Sequence, residues 1–368
     1  MKQALVGMSG GVDSSVAAYL VKEAGYETTG ATMRLFDNET IGLNSKTCCS
    51  LSSIEDACAV ANRIGISYVV YDMRDDFRQE VIDRFVDAYE HGATPNPCVA
   101  CKKYLKFDRL YDISAADLLD NESNGQSHVS GAEGDEPPLS IATGHYADTA
   151  CIDDTWYVTK AANEKKDQSY MLYRLSEDVI SRLILPLNEI DDKEKVRELA
   201  RQKALKNSEA KDSQEICFID ENDNYKNFLE RRGITAPKGN FVDSEGKVLG
   251  EHQGILNYTI GQRKGLGLAL GKPAFVTCIN CADNTVVLGD NADLFRTEVI
   301  SSDNVIKGGD GPVTAKIRYA ARPAEAEIEV MADGKIKTTF KEPQRAATPG
   351  QSIVFYRDNR VIGGGFIE

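Results

Sequence analysis

The sequence predicts an α/β protein in three parts: a parallel-sheet domain over residues 1–220, a small central domain over 221–296 and a β-barrel-like domain over 297–368. Three observations predict it. Strand-length apolar runs alternate with helical periodicity through the first two hundred residues, the order of a parallel sheet covered by helices on both faces. A turn-rich stretch follows, with eight glycines from Gly239 to Gly271. Beyond Glu298, apolar residues recur with period two in 315–319, 326–330, 336–340 and 352–356. Such strands bury one face, and closing them into a barrel removes their exposed edges.

The elements can be justified in order. Ala4-Leu5-Val6-Gly7-Met8 is a short apolar strand, and Val16-Ala17-Ala18-Tyr19-Leu20-Val21 continues as a helix that Gly25 stops. A strand is expected near 28–35. Ser52-Ser53-Ile54-Glu55 reads as a capping box opening a helix. Ile54, Ala57, Cys58, Ala61 and Ile64 share its apolar face, and Gly65 ends it. A strand over 66–73 leads to an amphipathic helix over 75–90, with Phe77, Val81, Phe85 and Tyr89 in register. A proline-bearing loop, a helix over 101–119 and a strand over 140–143 complete the pattern. Residues 119–138 depart from it: they are polar and acidic, and read as a flexible surface insertion. Residues 225–232 form one short helix, and Asp333-Gly334 makes a hairpin turn.

Composition narrows the functions. The 368 residues carry a net charge of −14, which argues against coating nucleic acid and requires any nucleic-acid contact to be a local basic patch. With no run of eighteen apolar residues, no membrane span is expected. The start enters a strand at once and leaves no room for a signal peptide. Nine cysteines without an export signal are expected as reduced thiols in the cytoplasm.

Between the first strand and helix lies Ser9-Gly10-Gly11-Val12-Asp13-Ser14-Ser15. A tight glycine loop there aims backbone N–H groups and the positive end of a helix dipole at one spot, which suits phosphate or pyrophosphate. It lacks the Gly-Lys-Ser/Thr ending that grips a γ-phosphate, and it is not the spaced-glycine dinucleotide fingerprint. Read blandly, it is a serine- and glycine-rich helix cap.

Two cysteines stand apart. Cys101 is expected to open a helix, with Lys102 and Lys103 directly after it; a helix N-terminus and ammonium groups both favour thiolate, the profile of a nucleophile. Alternatively Cys98 and Cys101 form a zinc half-site, with Cys278 and Cys281 as the other half. Cys217 has acidic neighbours, and from spacing alone reads as a buried strand cysteine. Cys48, Cys49, Cys58, Cys151, Cys278 and Cys281 read as packing or surface residues. Gly144-His145-Tyr146 follows a strand end, where a ligand contact or a structural histidine would sit. Gly261-Gln262-Arg263-Lys264-Gly265-Leu266-Gly267 is a basic glycine loop suited to a phosphate backbone, and Arg318, Tyr319 and Arg322 add cationic and aromatic character.

Ser9-Gly10-Gly11-Val12-Asp13-Ser14 resembles the signature of PP-loop ATP pyrophosphatases, which split ATP between the α- and β-phosphates and adenylate a carbonyl oxygen. Further blocks are Thr94-Pro95-Asn96-Pro97, Lys106-Phe107, Ala142-Thr143-Gly144-His145-Tyr146, Lys166-Asp167-Gln168-Ser169-Tyr170, Asp212-Ser213-Gln214-Glu215-Ile216-Cys217-Phe218-Ile219, the basic glycine loop and Pro349-Gly350-Gln351. In this order, over nearly the whole chain, they resemble the tRNA-specific 2-thiouridylases. The resemblance implies a PP-loop domain, a central tRNA-binding domain and a C-terminal barrel. It implies thiolation of the wobble uridine in tRNAs for Lys, Glu and Gln, with ATP, Mg²⁺ and a cysteine desulfurase or sulfur-relay protein as donor. By position, Gly7, Met8, Ser9, Gly10, Gly11, Val12, Asp13, Ser14, Met33 and Gly144 bind ATP. Asn96, Pro97 and Cys98 meet the target base. His145, Lys166, Asp167, Gln168, Arg318, Tyr319 and Gln351 contact tRNA. Cys101 becomes the nucleophile and Cys217 the persulfide carrier, reversing the reading from spacing, since a persulfide is more acidic than a thiol. Many family members carry Asp where this chain has Cys98, so which of Cys98 and Cys101 pairs with Cys217 stays open, although position and the Lys-Phe spacing favour Cys101. Two rival functions remain: another PP-loop enzyme such as a small-molecule amidating ligase, and a zinc-bound RNA-binding module.

Overall fold

The computed structural model describes residues 2–37, 51–123, 139–208, 216–219 and 223–368. Cys48, Cys49, the 212–215 part of the cysteine motif and insertion residues 124–138 lie outside the described residues. The chain forms two compact units, Met1–Val81 with Cys98–Glu221, and Ile82–Pro97 with Asn222–Glu368.

In the first unit, β1 (Gln3–Gly7), β2 (Glu27–Arg34), β3 (Ser67–Asp72), β4 (Ser140–Thr143) and β7 (Leu183–Ile184) form a parallel sheet in the order β3-β2-β1-β4-β7. Gly7 at the end of β1 is level with Ala31 of β2 and Thr143 of β4, so three strands deliver their carboxyl ends to one edge. That edge is where ligands sit in such sheets. The Val12–Glu23 helix buries Val12, Val16, Ala18 and Val21 in a core shared with Val60 and Ala61 of the Leu51–Ile64 helix and Val196 and Ala200 of the Lys193–Gln202 helix. Burying four such side chains stabilises the docking of the loop helix by several kcal/mol, at ~1.5–3 kcal/mol for each larger one.

Several expectations are corrected. The Leu51–Ile64 helix is already running at Leu51, so Ser52 and Ser53 lie inside its first turn instead of capping it. The helix expected over 75–90 is Arg74–Phe77, a π-helical stretch Arg78–Asp83, and Arg84–Glu90. The helix expected from 101 begins earlier, as Pro97–Ala100, widens into a π-helix over Cys101–Arg109 and continues as Leu110–Ser123. Residues 119–123 of the expected insertion are thus helical. A hairpin of β5 (Asp148–Ile152) and β6 (Thr155–Thr159) went unread; Asp153 and Asp154 take φ of 50° and 60°, as a two-residue hairpin turn requires.

The second unit holds β8 (Gly239–Val242), β9 (Val248–His252), β10 (Phe275–Asn280) and β11 (Thr285–Gly289), a sheet in the order β10-β11-β8-β9 where the sequence reads as turn-rich, with an alternating strand pattern only around Cys278 and Cys281. The barrel is β12 (Phe295–Ile306), β13 (Gly311–Lys316), β14 (Ala324–Val330), β15 (Ile336–Arg345), β16 (Ser352–Arg357) and β17 (Arg360–Ile367). Its order is β12-β15-β14-β13-β16-β17, and β12 pairs β17, so it is closed. The strand expected over 315–319 stops at Lys316, where the chain turns. Closure needs Gly363: a Cβ there would lie 2.0 Å from the Val305 carbonyl oxygen.

His252, fully buried beside Phe241 and Tyr258, accepts the Gly254 N–H at Nδ1 (3.0 Å) and places Nε2 3.1 Å from the Asn284 carbonyl. Those partners require a neutral ring, and burial pushes its pKa below the ordinary histidine value. The unfolded chain therefore takes up this proton at higher pH than the folded one. Stability is full above the unfolded pKa of about 6.5 and falls as pH drops toward the lowered folded value, by at most ~1.4 kcal/mol per pH unit. Urea midpoints at pH 7.5 and 5.5 should show that loss, and His252→Gln should reduce it; an equal loss in both proteins would rule the histidine out.

Candidate active site

After β1 the chain stays pinned: the Met8 N–H donates to the Ala31 carbonyl (2.8 Å), and the Met8 carbonyl accepts from Thr32 Oγ1 (2.6 Å). Gly10 then takes a positive φ of 75°. Ser14 folds back over the turn, accepting from the Ser9 N–H (3.2 Å) and donating to the Gly11 carbonyl (3.1 Å). Gly11 is the N-cap of the Val12–Glu23 helix, and no side chain caps it. The first-turn N–H groups are thus left for an anion.

Three residues outside the expected site residues hold this turn. Asn207 donates from Nδ2 to the Gly10 carbonyl (2.8 Å) and to Ser15 Oγ (2.7 Å). Tyr146 donates to one Asp13 carboxylate oxygen (2.8 Å), and Lys193 Nζ lies 2.6 Å from the other. Lys193 is only 12% exposed, so its charge is poorly screened and orients Asp13 firmly. Tyr146 stood in a motif already singled out; no local signal marks Asn207 or Lys193. Gly144 lies flush against the same turn, where a Cβ would be 2.6 Å from the Asp13 carbonyl carbon and 2.7 Å from the Ser14 nitrogen.

The thiols gather around Lys102. Cys98, Lys102 and Lys106 follow at intervals of four along one helical stripe. Burial lowers the Lys102 pKa, Lys106 lowers it further, and the sulfurs of Cys98, Cys101 and Cys217 act in the opposite direction. His145 joins the group: its ring centroid is 5.9 Å from that of Phe107, its Nδ1 is 2.8 Å from Thr143 Oγ1, and burial, then Lys102 and Lys106, keep it neutral. Cys101 is buried, whereas Cys98 and Cys217 are half-buried. Two expectations change here. Cys101 sits a turn inside its helix, at the start of the π-helical stretch, so it does not open the helix as expected. Cys217 lies in a turn closed by the Ile219 N–H on the Ile216 carbonyl, where spacing suggested a strand.

Met33 lies buried on β2 opposite Tyr71. Asp167 directs its carboxylate to the N–H groups of Ala161 and Ser169 and to Ser169 Oγ, and Gln168 exchanges two hydrogen bonds with the Tyr146 backbone. Both shape the segment that carries half-buried Lys166. Asn96, Pro97, Arg318, Tyr319 and Gln351 belong to the second unit. There Arg318 donates to the Arg345 carbonyl (2.7 Å), Tyr319 is 37% exposed beneath Lys316, and Gln351 donates to the Thr94 carbonyl (2.7 Å). Cys278 and Cys281 are exposed, and among the described residues no three His, Cys, Asp or Glu side chains converge as metal ligands would.

A parallel sheet whose first strand runs through an uncapped glycine turn into a helix makes an anion-binding turn, the arrangement that the resemblance to PP-loop enzymes implies. Residues 2–221 match the family model described as tRNA methyl transferase HUP domain, 226–290 its PRC-barrel domain, and 296–367 the aminomethyltransferase beta-barrel domain. The proteins called tRNA-specific 2-thiouridylase MnmA from Clostridium perfringens and Clostridium beijerinckii are each 46% identical to this chain over 373 residues. The match covers 100% of this chain and 98% and 99% of those proteins. The chain belongs to the tRNA-specific 2-thiouridylase family.

Proposed function

We propose that this enzyme is a tRNA-uridine 2-sulfurtransferase that uses ATP to convert the wobble uridine of tRNAs for Lys, Glu and Gln to 2-thiouridine. The observation that carries the reading is one unit that holds both an anion-ready turn braced by Asn207, Tyr146 and Lys193 and a group of three thiols around Lys102. Residues 1–220 supply the chemistry; 221–296 and 297–368 engage tRNA.

The turn from Gly7 to Ser14, with Met33 and Gly144, holds ATP, its N–H groups on the phosphates. Uridine O2, with the base held at Asn96, Pro97 and Cys98, attacks the α-phosphorus and pyrophosphate leaves. Adenylation turns a poor leaving oxygen into AMP. Cys217 carries the persulfide. Its terminal sulfur attacks C2 and AMP departs. The Cys101 thiolate then attacks the Cys217 sulfur, a Cys101–Cys217 disulfide forms, and the electron pair of the broken S–S bond goes to the sulfur left on C2. If Cys101 attacks first, hydrosulfide is released and adds to C2, with the same products. The Lys102 ammonium favours each sulfur anion. An external thiol reduces the disulfide, and a cysteine desulfurase or sulfur-relay protein reloads Cys217. Mg²⁺ would neutralise phosphate charge. Both oxygens of Asp13 are engaged by the protein, so the donor set fits a cation held mainly through the phosphates and water. His145, Lys166, Arg318 and Tyr319 contact tRNA.

We place the activity in the cytoplasm, where thiols stay reduced. No helix among the described residues is long and apolar enough to cross a membrane. Incubating the protein with tRNA, ATP and a cysteine desulfurase, then analysing tRNA nucleosides by mass spectrometry, should yield 2-thiouridine. Release of pyrophosphate without tRNA, and no thiolated nucleoside, would favour an amidating ligase.

A further inference from the structure

The Thr94-Pro95-Asn96-Pro97 segment is built as a short stiff rod. Pro95 and Pro97 lack N–H donors and hold φ near −65°, and each restricts the residue before it to extended conformations. The Arg84–Glu90 helix upstream ends firmly: Gly92 takes a φ of 72°, its N–H donates to the Tyr89 carbonyl (2.9 Å), and the Ala93 N–H donates to the Ala88 carbonyl (2.8 Å). Thr94 is therefore where the segment leaves that helix, and Pro97 is already the first residue of the Pro97–Ala100 helix.

Both backbone groups of Thr94 are taken by one turn of the barrel. Its N–H donates to the Pro349 carbonyl (2.8 Å), and its carbonyl accepts from Gln351 Nε2 (2.7 Å). Gly350 between them approaches so closely that a Cβ would lie 2.9 Å from Ala93 Cβ and 3.0 Å from the Thr94 nitrogen. The turn is itself tied to β17 through the Gly350 N–H on the Ile367 carbonyl (2.9 Å) and the Ile367 N–H on the Gln351 carbonyl (2.9 Å). The start of the Pro97–Ala100 helix fixes one end of the segment and these two hydrogen bonds fix the other, so the clasp helps set where Asn96 points.

We infer that Pro349-Gly350-Gln351 is a clasp that aims the 94–97 rod, and that Gln351 is a positioning residue for the target base, acting through Thr94. The inference rests on the reading of Asn96 as a base-binding residue. It gives Gln351 a role in the protein without tRNA, which a residue that serves only as a tRNA contact would lack.

Gln351→Glu preserves shape and acceptors but removes the donor. In the tRNA-free protein, hydrogen exchange of the peptide spanning 92–96 should quicken about tenfold, the scale of one lost hydrogen bond. The melting temperature should stay near that of the wild type. The kcat for thiolation should fall about tenfold or more through misplacement, whether or not the new carboxylate also weakens the Kd for tRNA. Gly350→Ala, which leaves Gln351 in place, should quicken exchange and lower kcat in the same way, with the Kd for tRNA little changed. Unchanged exchange in both variants overturns the clasp. Faster exchange with unchanged kcat overturns the positioning role. Unchanged exchange with a weakened tRNA Kd makes Gln351 a direct contact only. If the wild type forms no 2-thiouridine, the base-binding reading fails, and the exchange measurement still judges the clasp on its own.

Discussion

Cys217→Ser should form no detectable 2-thiouridine while tRNA-dependent release of pyrophosphate from ATP continues. The proposed chemistry separates the two steps by residue. Adenylation uses the Ser9–Ser14 turn, Asp13 and its braces, none of which involves a thiol. Sulfur transfer needs an atom at 217 that can carry a second sulfur, and a hydroxyl cannot. Cys101→Ser should also stop turnover, but after Cys217 has been loaded: a disulfide-linked Cys217–tRNA adduct should accumulate if the terminal sulfur attacks first, and protein persulfide if Cys101 does. The Cys98→Ser variant decides what the third thiol near Lys102 does. If Cys98→Ser stops turnover and Cys101→Ser does not, the nucleophile has been misassigned. A fully active Cys217→Ser enzyme would remove the sulfur-carrier role altogether.

Gly144→Ala should lower ATP-dependent pyrophosphate release by about 10²-fold, the usual consequence of displacing reacting groups by about 1 Å. Its added Cβ would sit 2.6 Å from the Asp13 carbonyl carbon and 2.7 Å from the Ser14 nitrogen, both backbone atoms that no rotamer change can move aside. Either the end of β4 or the first turn of the Val12–Glu23 helix must retreat. The first turn is the proposed source of N–H groups for the phosphates, and Asp13 within it is held on both oxygens. The stability loss should be that of overpacking, ~1–3 kcal/mol, leaving the protein folded at 25 °C. Activity within twofold of wild type, with circular dichroism unchanged, would show that the close fit of Gly144 to the turn does not matter for catalysis.

Much of this was legible along the chain. The Ser9–Ser15 turn, the parallel alternation and the period-two strands of the barrel are short-range patterns, fixed by backbone sterics and by which face of an element is apolar. The β8–β11 sheet escaped because its strands are four to six residues long and separated by glycine turns, leaving little periodicity to read. The helix of Cys101 starts four residues before the expected position; nothing in Pro97-Cys98-Val99-Ala100 is a strong cap, and proline at the first helical position is the one local sign.

By itself, then, the sequence determined the glycine turn, the parallel alternation of the first sheet and the family to which the chain belongs. Those depend on neighbouring residues or on blocks that can be compared directly. Only the tertiary structure decided who holds the turn. Tyr146, Lys193 and Asn207 reach it across 133, 180 and 192 positions. Gln351 reaches Thr94 across 257. Local propensity says nothing about such pairs, because their partners are chosen when separate elements pack and each buried donor or charge must find an acceptor.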